Sequence, residues 1–259
     1  MILQYLFKIN VFIFLFSSGC SYDGTPDYIK PEIQTYRLRS RGDERRKPIK
    51  KVKKNQIRVI CSSPVILNRK IIWNKLREKL SLEYMFLHHG MKSTKAIIAP
   101  RMIVVHHTGS NTFKSAWWSM EKPQIKGRPY ISKSSSLNVS AHFLVDTDGK
   151  IYRLLSDKKF ARHVIGLNYM AIGIENVGGT VRTPLTENQL NSNVKLIEYL
   201  LCKYPEIKFL IGHHEYYRFR KSSYWKEKNK RYYTFKSDPG IKFMKRVRKK
   251  LKRKIKSKP

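Results

Sequence analysis

The sequence predicts an α/β domain, a central mixed β-sheet flanked by helices, with basic extensions at both ends. Short apolar runs at Met102–His106, Ala171–Val177 and Phe209–Ile211 alternate with a stretch of helical periodicity, the pattern of strands covered by helices. A β-hairpin stands among them. The chain has 259 residues and 41% hydrophobic content, enough for one core of ordinary domain size with chain left over. That surplus lies at the two ends, where the basic residues crowd.

Residues 1–19 read as an export signal. Lys8 is their one charge, Ile9 to Phe16 is almost wholly apolar, and Ser17-Ser18-Gly19 lead to Cys20. The apolar stretch is short for a membrane span. Small residues directly before a cysteine resemble the cleavage box of bacterial lipoproteins, which makes Cys20 the candidate lipidation site. Ser17 departs from that box, where leucine is usual, and a plain secretory signal or an uncleaved anchor is the alternative. Residues 20–57 follow as a basic linker. Arg41 to Arg58 holds nine basic residues against Asp43 and Glu44, a run that repels itself.

Residues 58–100 form an N-terminal extension in which Ile71, Ile72, Lys75, Leu76, Lys79 and Leu80 suggest one amphipathic helix. The core domain spans 101–244. Met102 to His106 is a buried strand. Phe143-Leu144-Val145 and Ile151-Tyr152-Arg153-Leu154 pair across the turn Asp146-Thr147-Asp148-Gly149. Ala171 to Val177 is a strand stopped by Gly178-Gly179. Thr186 and Gln189 make a capping box for a helix with Leu190, Val194, Ile197 and Leu201 on one face and Pro205 past its end. Phe209-Leu210-Ile211 is a short strand. In the tail, residues 245–259, ten basic residues stand with no acid. Val247, Leu251 and Ile255 recur every four, so a basic helix with a narrow apolar stripe is expected, either solvated or lying on a membrane.

The formal charge of +36 favours polyanionic partners: nucleic acid, anionic lipid or an anionic cell-wall polymer. Charge alone does not choose among them. Cys61 and Cys202 fit no zinc spacing. Export permits a disulfide between them without requiring it, and Cys202, in a helix, is expected as a buried thiol.

Three segments carry candidate chemistry. Ile103-Val104-Val105-His106 and Leu210-Ile211-Gly212-His213 are apolar runs ending in histidine, and Lys236-Ser237-Asp238 sets a carboxylate beside a lysine. Two imidazoles and a carboxylate would leave a fourth tetrahedral position for water, as at a catalytic zinc. On spacing alone, strand-end histidines are as readily explained as ordinary hydrogen-bonded residues, and Asp238-Pro239-Gly240 as a common turn.

These stretches also resemble, in order, those of the zinc-dependent N-acetylmuramoyl-L-alanine amidases of the amidase-2 family, related to the peptidoglycan recognition proteins. Ile103 to Thr108 matches the first ligand strand. Val139 to Val145, with Asp148 to Tyr152, matches the family hairpin. Ala161-Arg162-His163 is similar to an alanine–aromatic–histidine segment that lines the substrate groove, with Arg162 in place of the aromatic residue. Ile172-Gly173-Ile174-Glu175-Asn176 matches the strand that bears an acidic catalytic residue. Ile211 to Glu215 and Lys236 to Gly240 match the remaining ligand segments. The resemblance implies a fold of that family, Zn2+ held by His106, His213 and Asp238, Glu175 as general base and Lys236 steadying the oxyanion. His107 and His214 fall where the family varies. Ala141 stands where the phage enzymes have tyrosine, which favours the glutamate-using branch.

The implied activity is hydrolysis of the amide between N-acetylmuramic acid and L-alanine of peptidoglycan or muropeptides. A peptidoglycan-binding relative without activity is the alternative. The expected partners are peptidoglycan and an anionic membrane surface, reached through the lipid anchor and the basic segments. Nucleic acid is not expected: the chain carries an export signal and no established nucleic-acid module. Trp117 and Trp118 read as core residues before a sugar platform. The stretch Tyr216 to Phe235, longer than the family spacing, interleaves aromatic and basic residues and suits a groove wall or a stacking surface.

Overall fold

The computed structural model describes residues 61–259, and backbone pairing within them gives one six-stranded sheet. Its strands are β1 (Ile66–Asn68), β2 (Met102–Val105), β3 (Phe143–Val145), β4 (Ile151–Arg153), β5 (Ala171–Asn176) and β6 (Phe209–Gly212), in the order β1-β4-β3-β5-β2-β6. The β3–β4 hairpin is the antiparallel pair, turned at Gly149, whose φ of 86° a side chain would resist. The other neighbours run parallel, so the sheet is mixed, as the sequence predicts. The helices are α1 (Lys75–His89), α2 (Phe113–Glu121), the single turn α3 (Pro129–Ser132), α4 (Glu187–Lys203) and α5 (Ile241–Lys250). Residues 1–19, Cys20 and the linker 20–57 lie outside the described residues.

Both faces of the sheet are covered, which explains why its central strands are apolar throughout. Ile103, Val105, Ile172, Ile174 and Leu210 point to one face and pack on α4 and α5 through Leu190, Leu196, Ile197, Leu200, Met244 and Val247. Met102, Val104, Ala171, Phe209 and Ile211 point to the other, where Tyr216, Phe219 and Tyr232 cover them. The capping box of α4 is formed as expected: Thr186 Oγ1 accepts from the Gln189 N–H while Gln189 Oε1 accepts from the Thr186 N–H.

Four expectations about the periphery need correction. Helix α1 begins at Lys75, after the Asn74 cap, and buries Arg77, Leu80, Ser81, Tyr84 and Met85, leaving Ile72 and Leu76 exposed. Its inward arginine is the reason. Arg77 Nη2 donates to the carbonyls of Met120, Glu121 and Lys122, the end of α2, which otherwise have no helical donor. The tail is no continuous basic helix either. α5 stops at Lys250, and beyond it Phe209 and Leu210 on the open edge of β6 pair with Lys256, the Leu210 N–H donating to the Lys256 carbonyl. Leu251 and Ile255 thereby pack on the core instead of forming a stripe, and the chain end blunts a sheet edge. The tryptophans divide: Trp117 is buried, while Trp118 is exposed under the Lys114 ammonium.

The fourth correction concerns the cysteines. Cys202 is exposed on α4 and forms a disulfide with Cys61, Cα–Cα 5.6 Å. The bond ties the start of the described chain to α4 across a sequence separation of 141. Loop-closure entropy of that size corresponds to about 5 kcal/mol. Reduction, or Cys61→Ser, is therefore expected to lower the thermal unfolding midpoint by several degrees, followed by circular dichroism. An unchanged midpoint would show that the bond holds nothing the core does not.

Candidate active site

The three strands β5, β2 and β6 are neighbours, and they end at the same level. Val105 is in register with Ile174 on one side and Gly212 on the other. The residues that follow, His106, Glu175 and His213, therefore emerge together at the carboxyl ends of parallel strands, where open α/β sheets present their ligand sites. Strand alternation turns all three to the face of Val104 and Ile211. The His106 backbone is pinned on both sides: its N–H donates to the Ile174 carbonyl at 2.8 Å, and its carbonyl accepts from the Asn176 N–H and from Asn176 Nδ2.

Asp238 arrives from the turn before α5. His214 holds it there, donating to the Asp238 carbonyl from its backbone N–H at 2.9 Å and from its ring Nδ1 at 3.0 Å. The Asp238 carboxylate then meets both inner imidazoles. His106 Nδ1 lies 3.0 Å from His213 Nδ1, and Asp238 Oδ2 lies 3.3 Å from the first and 3.1 Å from the second. A tetrahedral ion with bonds of about 2.0–2.1 Å spaces its donors about 3.3 Å apart. The three donors fit that spacing within a few tenths of an ångström. The protonation state fits as well. Burial lowers the pKa of His213 to about 4, with His106 adding to the shift, so His213 is neutral at neutral pH. Burial would raise Asp238, but the two imidazoles hold it well below the usual carboxylate range, and it stays ionised.

A second layer fixes His106. His163 is half-buried, and desolvation lowers its pKa well below that of free histidine. Its Nε2 lies 3.1 Å from the Ala171 carbonyl, which only accepts, so the ring proton sits on Nε2. His163 Nδ1 must then accept from His106 Nε2 at 3.0 Å, which leaves Nδ1 of a neutral His106 bare toward His213 and Asp238. Gly173 makes room for this ring: a Cβ there would lie 2.9 Å from it. Asn168 Oδ1 accepts from the backbone N–H groups of His163 and Val164 and fixes the segment. His142, similar in sequence context, serves the fold instead. Its Nδ1 accepts from the Gly173 N–H and its Nε2 donates to the Lys159 carbonyl.

Glu175 faces the same cleft of about 190 Å³, together with Lys236 and Arg128. Burial, the largest cause, raises its pKa to about 7; Asp238 adds to this, while His106, Lys236 and Arg128 oppose it. Its Oε2 has no hydrogen-bond partner among the described residues. A half-buried carboxyl poised near neutrality beside residues that could hold a metal is what acid–base catalysis uses. A larger open groove of about 820 Å³ runs along the far side of Lys236 between Phe235 and Ile241, and none of the three donors lines it.

Comparison with known proteins matches the sequence to one family. The model of the family described as N-acetylmuramoyl-L-alanine amidase, Amidase_2, matches residues 96–241, more than half of the chain. The chain belongs to this amidase family. Among solved structures, an endolysin N-acetylmuramoyl-L-alanine amidase from Clostridium intestinale is 24% identical over 60% of this chain and 85% of its own, with a TM-score of 0.41. PGRP-SA of Apis mellifera is 22% identical over 50% and 87%, TM-score 0.35. A human PGRP in complex with a glycosamyl muramyl pentapeptide is 18% identical over 53% and 93%, TM-score 0.37. A search of curated proteins returned no match.

Against the family pattern, Arg162 and the stretch 216–235 take on defined roles. Arg162 lines the cleft, but its guanidinium is committed to the protein and not held out as an aromatic platform would be. It is buried and donates to the carbonyls of Ile131, Ser135 and Leu137, to Ser134 Oγ and to the Tyr232 hydroxyl, bracing the segment after α2 against the long stretch. Tyr216, Phe219 and Tyr232 of that stretch are core residues, while Tyr217, Tyr233 and Phe235 stay exposed. His163 lines the cleft beside His106, as the sequence segment suggests. His107, one residue past His106, also borders the cleft and packs its ring against Gly179. Among the described residues, sequence reasoning missed Arg128, which lines the cleft with Glu175 and Lys236 from the N-cap of α3, where no apolar pattern marks it.

The Glu175 shift has a measurable sign in the metal-free protein. The folded state holds this proton more tightly than the unfolded chain, whose ordinary value is 4.5. The contribution is complete below that pH and is lost as pH rises through about 7, by up to ~3 kcal/mol. Between these pH values, wild-type protein is expected to lose more stability in urea than Glu175→Gln. Parallel pH profiles for the two would contradict the assigned burial.

Proposed function

We propose that the chain is a zinc-dependent amidase that hydrolyses the bond between N-acetylmuramic acid and L-alanine in peptidoglycan or its muropeptide fragments. The observation that carries this reading is the convergence of His106, His213 and Asp238, donor atoms within 4.8 Å of one another, with a half-buried Glu175 in the same cleft. Zinc suits a donor set of two imidazoles and a carboxylate and, when bound, supplies Lewis acidity toward the amide carbonyl and the attacking water. The chain's own residues do the rest. The Glu175 carboxylate takes a proton from the attacking water and returns it to the departing nitrogen of L-alanine, and a pKa near 7 suits both transfers. Lys236 brings a positive charge to the developing oxyanion. The three donors together argue against a binding-only relative.

Zinc analysis with muropeptide hydrolysis tests this. His213→Ala is expected to lose both metal and activity. Glu175→Gln is expected to keep the metal and lose turnover by roughly a hundredfold or more. Full zinc occupancy in His213→Ala, or wild-type turnover in Glu175→Gln, would remove the residue from its role.

Export and membrane anchoring belong to the same reading. The signal-like segment before Cys20 supports it, and so does the Cys61–Cys202 disulfide, a bond of oxidising compartments. A lipid on Cys20 and the basic run Arg41–Arg58 would hold the catalytic domain beside the wall at an anionic membrane, each basic residue adding about 1 kcal/mol when close to the headgroups. Wild type is expected to stay with membranes in high salt, and Cys20→Ser to be released as salt screens its charge. Identical fractionation of the two, without fatty-acid labelling of the wild type, would overturn the anchor.

A further inference from the structure

The segment that delivers Lys236 and Asp238 to the cleft alternates in burial. Tyr232, Thr234, Lys236 and Asp238 are buried or half-buried, while Tyr233, Phe235 and Ser237 are exposed. An extended chain alternates in this way when one side of it faces the protein. Tyr216 locks the register: its hydroxyl donates to the Thr234 carbonyl at 2.6 Å and accepts from the Thr234 N–H at 3.0 Å. The Tyr130 hydroxyl adds a second tie, donating to the Tyr233 carbonyl at 3.0 Å. The residues on either side of Thr234 are thereby directed outward.

Two aromatic rings consequently stand in solvent beside the cleft. Phe235 is 92% exposed and Tyr233 51%. Tyr217 joins them at 42%, its ring centroid 5.9 Å from that of Tyr233. Arg220 holds Tyr217, lying 5.2 Å from its ring centroid and donating to its hydroxyl. With His214 and Lys236, the three rings line a shallow hollow of about 320 Å³. Phe235, His214 and Lys236 also line the open groove of about 820 Å³, and Lys236 lines the cleft as well. One lysine therefore stands where cleft, groove and hollow meet. Among the described residues, no acidic side chain lines the groove or the hollow.

Single exposed apolar side chains are ordinary, but three rings around one hollow mark a binding surface. Their chemistry suits a sugar, whose C–H groups make an apolar face and whose hydroxyls make a polar rim. Tyrosine offers such a face a large rigid ring at low entropic cost, with a hydroxyl at the edge. Volume points to the same part of the substrate. The cleft of about 190 Å³ takes the reacting amide with little of the polymer around it, so the sugars must continue outside. The aromatic hollow opens beside it at Lys236.

We infer that Tyr217, Tyr233 and Phe235 form a sugar-stacking surface for the glycan strand of peptidoglycan, so that a muramoyl residue is engaged within the polymer in preference to a single-sugar muropeptide. The inference rests on the proposed amidase reading and names the form of its substrate. It also gives the long stretch before Lys236 a use: the same segment supplies a metal donor on its inner side and a glycan contact on its outer side.

The probe is a peptide-free tetrasaccharide of alternating N-acetylglucosamine and N-acetylmuramic acid, titrated by calorimetry into the disulfide-bonded protein with zinc added. It has no bond to L-alanine, so binding is read without turnover. Free N-acetylmuramic acid, with the same lactyl carboxylate, is the reference. The tetrasaccharide is expected to bind roughly tenfold more tightly than the single sugar. Tyr233→Ala with Phe235→Ala, both at solvent-facing side chains, is expected to reduce that preference to about twofold or less. Tyr233→Phe with Phe235→Tyr, which keeps both rings, is expected to retain it. In hydrolysis, a tetrasaccharide bearing the L-alanyl peptide is expected to exceed the single-sugar muramoyl peptide in kcat/KM by a similar factor, through KM, and the alanine variant to lose that advantage. Equal affinities for the two sugars in wild type, or a preference that survives in the alanine variant, would overturn the surface. Binding to phosphatidylglycerol vesicles that the alanine variant loses while its sugar preference persists would assign the rings to a membrane and overturn it too. A ring-dependent sugar preference without any release of peptide would support the surface and count against the amidase reading alone.

Discussion

The hydrogen bond from His106 to His163 is the constraint on which the site depends. Two imidazoles whose Nδ1 atoms face each other at 3.0 Å cannot both point protons inward. The Ala171 carbonyl decides the matter from the sheet: it takes the Nε2 proton of His163, His163 takes that of His106, and the inward Nδ1 of His106 is left as a lone pair. An outer partner of this kind sets both tautomer and ring orientation at metal-binding histidines. The fold serves the arrangement. Gly173 has no side chain where the His163 ring lies, and Asn168 holds the loop that delivers it.

Burial then sorts the titrating groups. It keeps His213 neutral, while the imidazoles keep Asp238 ionised in spite of burial, which is the state a cation needs. The same burial pushes Glu175 toward neutrality against the pull of nearby cations. Two carboxyl groups in one cleft are thus driven apart in pKa, one suited to binding and one to proton transfer. In a chain with a formal charge of +36 this separation is local, made by what each carboxyl touches.

Much of this was legible in the sequence because strands announce themselves. The apolar runs ending at His106 and His213 and the run through Glu175 fix which face each residue takes, since alternation has a period of two. The hairpin and the capping box were equally plain, being local. What stayed hidden depends on distant partners. Arg77 points inward only because the end of α2 offers three carbonyls, so periodicity read from apolar residues placed Leu80 correctly but turned Leu76 inward in place of Arg77. The stripe of Val247, Leu251 and Ile255 looked helical, but the open edge of β6 draws the chain end into pairing. Nothing beside Cys202 in the sequence points to Cys61, and His163 shows its role only once the ring beside it is known.

The outer elements are bound to the site by buried polar contacts. His88 of α1 meets the Glu227 carboxylate at 2.9 Å, and Arg162 clamps the segment around α3 against Tyr232. These ties close one side of the cleft without entering the chemistry. The tautomer of His106 is the point at which the account is most exposed. Long-range nitrogen–proton correlation spectra of the histidine rings, recorded on the metal-free and the zinc-loaded protein, measure it directly. The account predicts that His106 carries its proton on Nε2 in both states and that zinc shifts its Nδ1 resonance. A proton on Nδ1 of His106, or a zinc-induced shift at Nε2 instead, would contradict it.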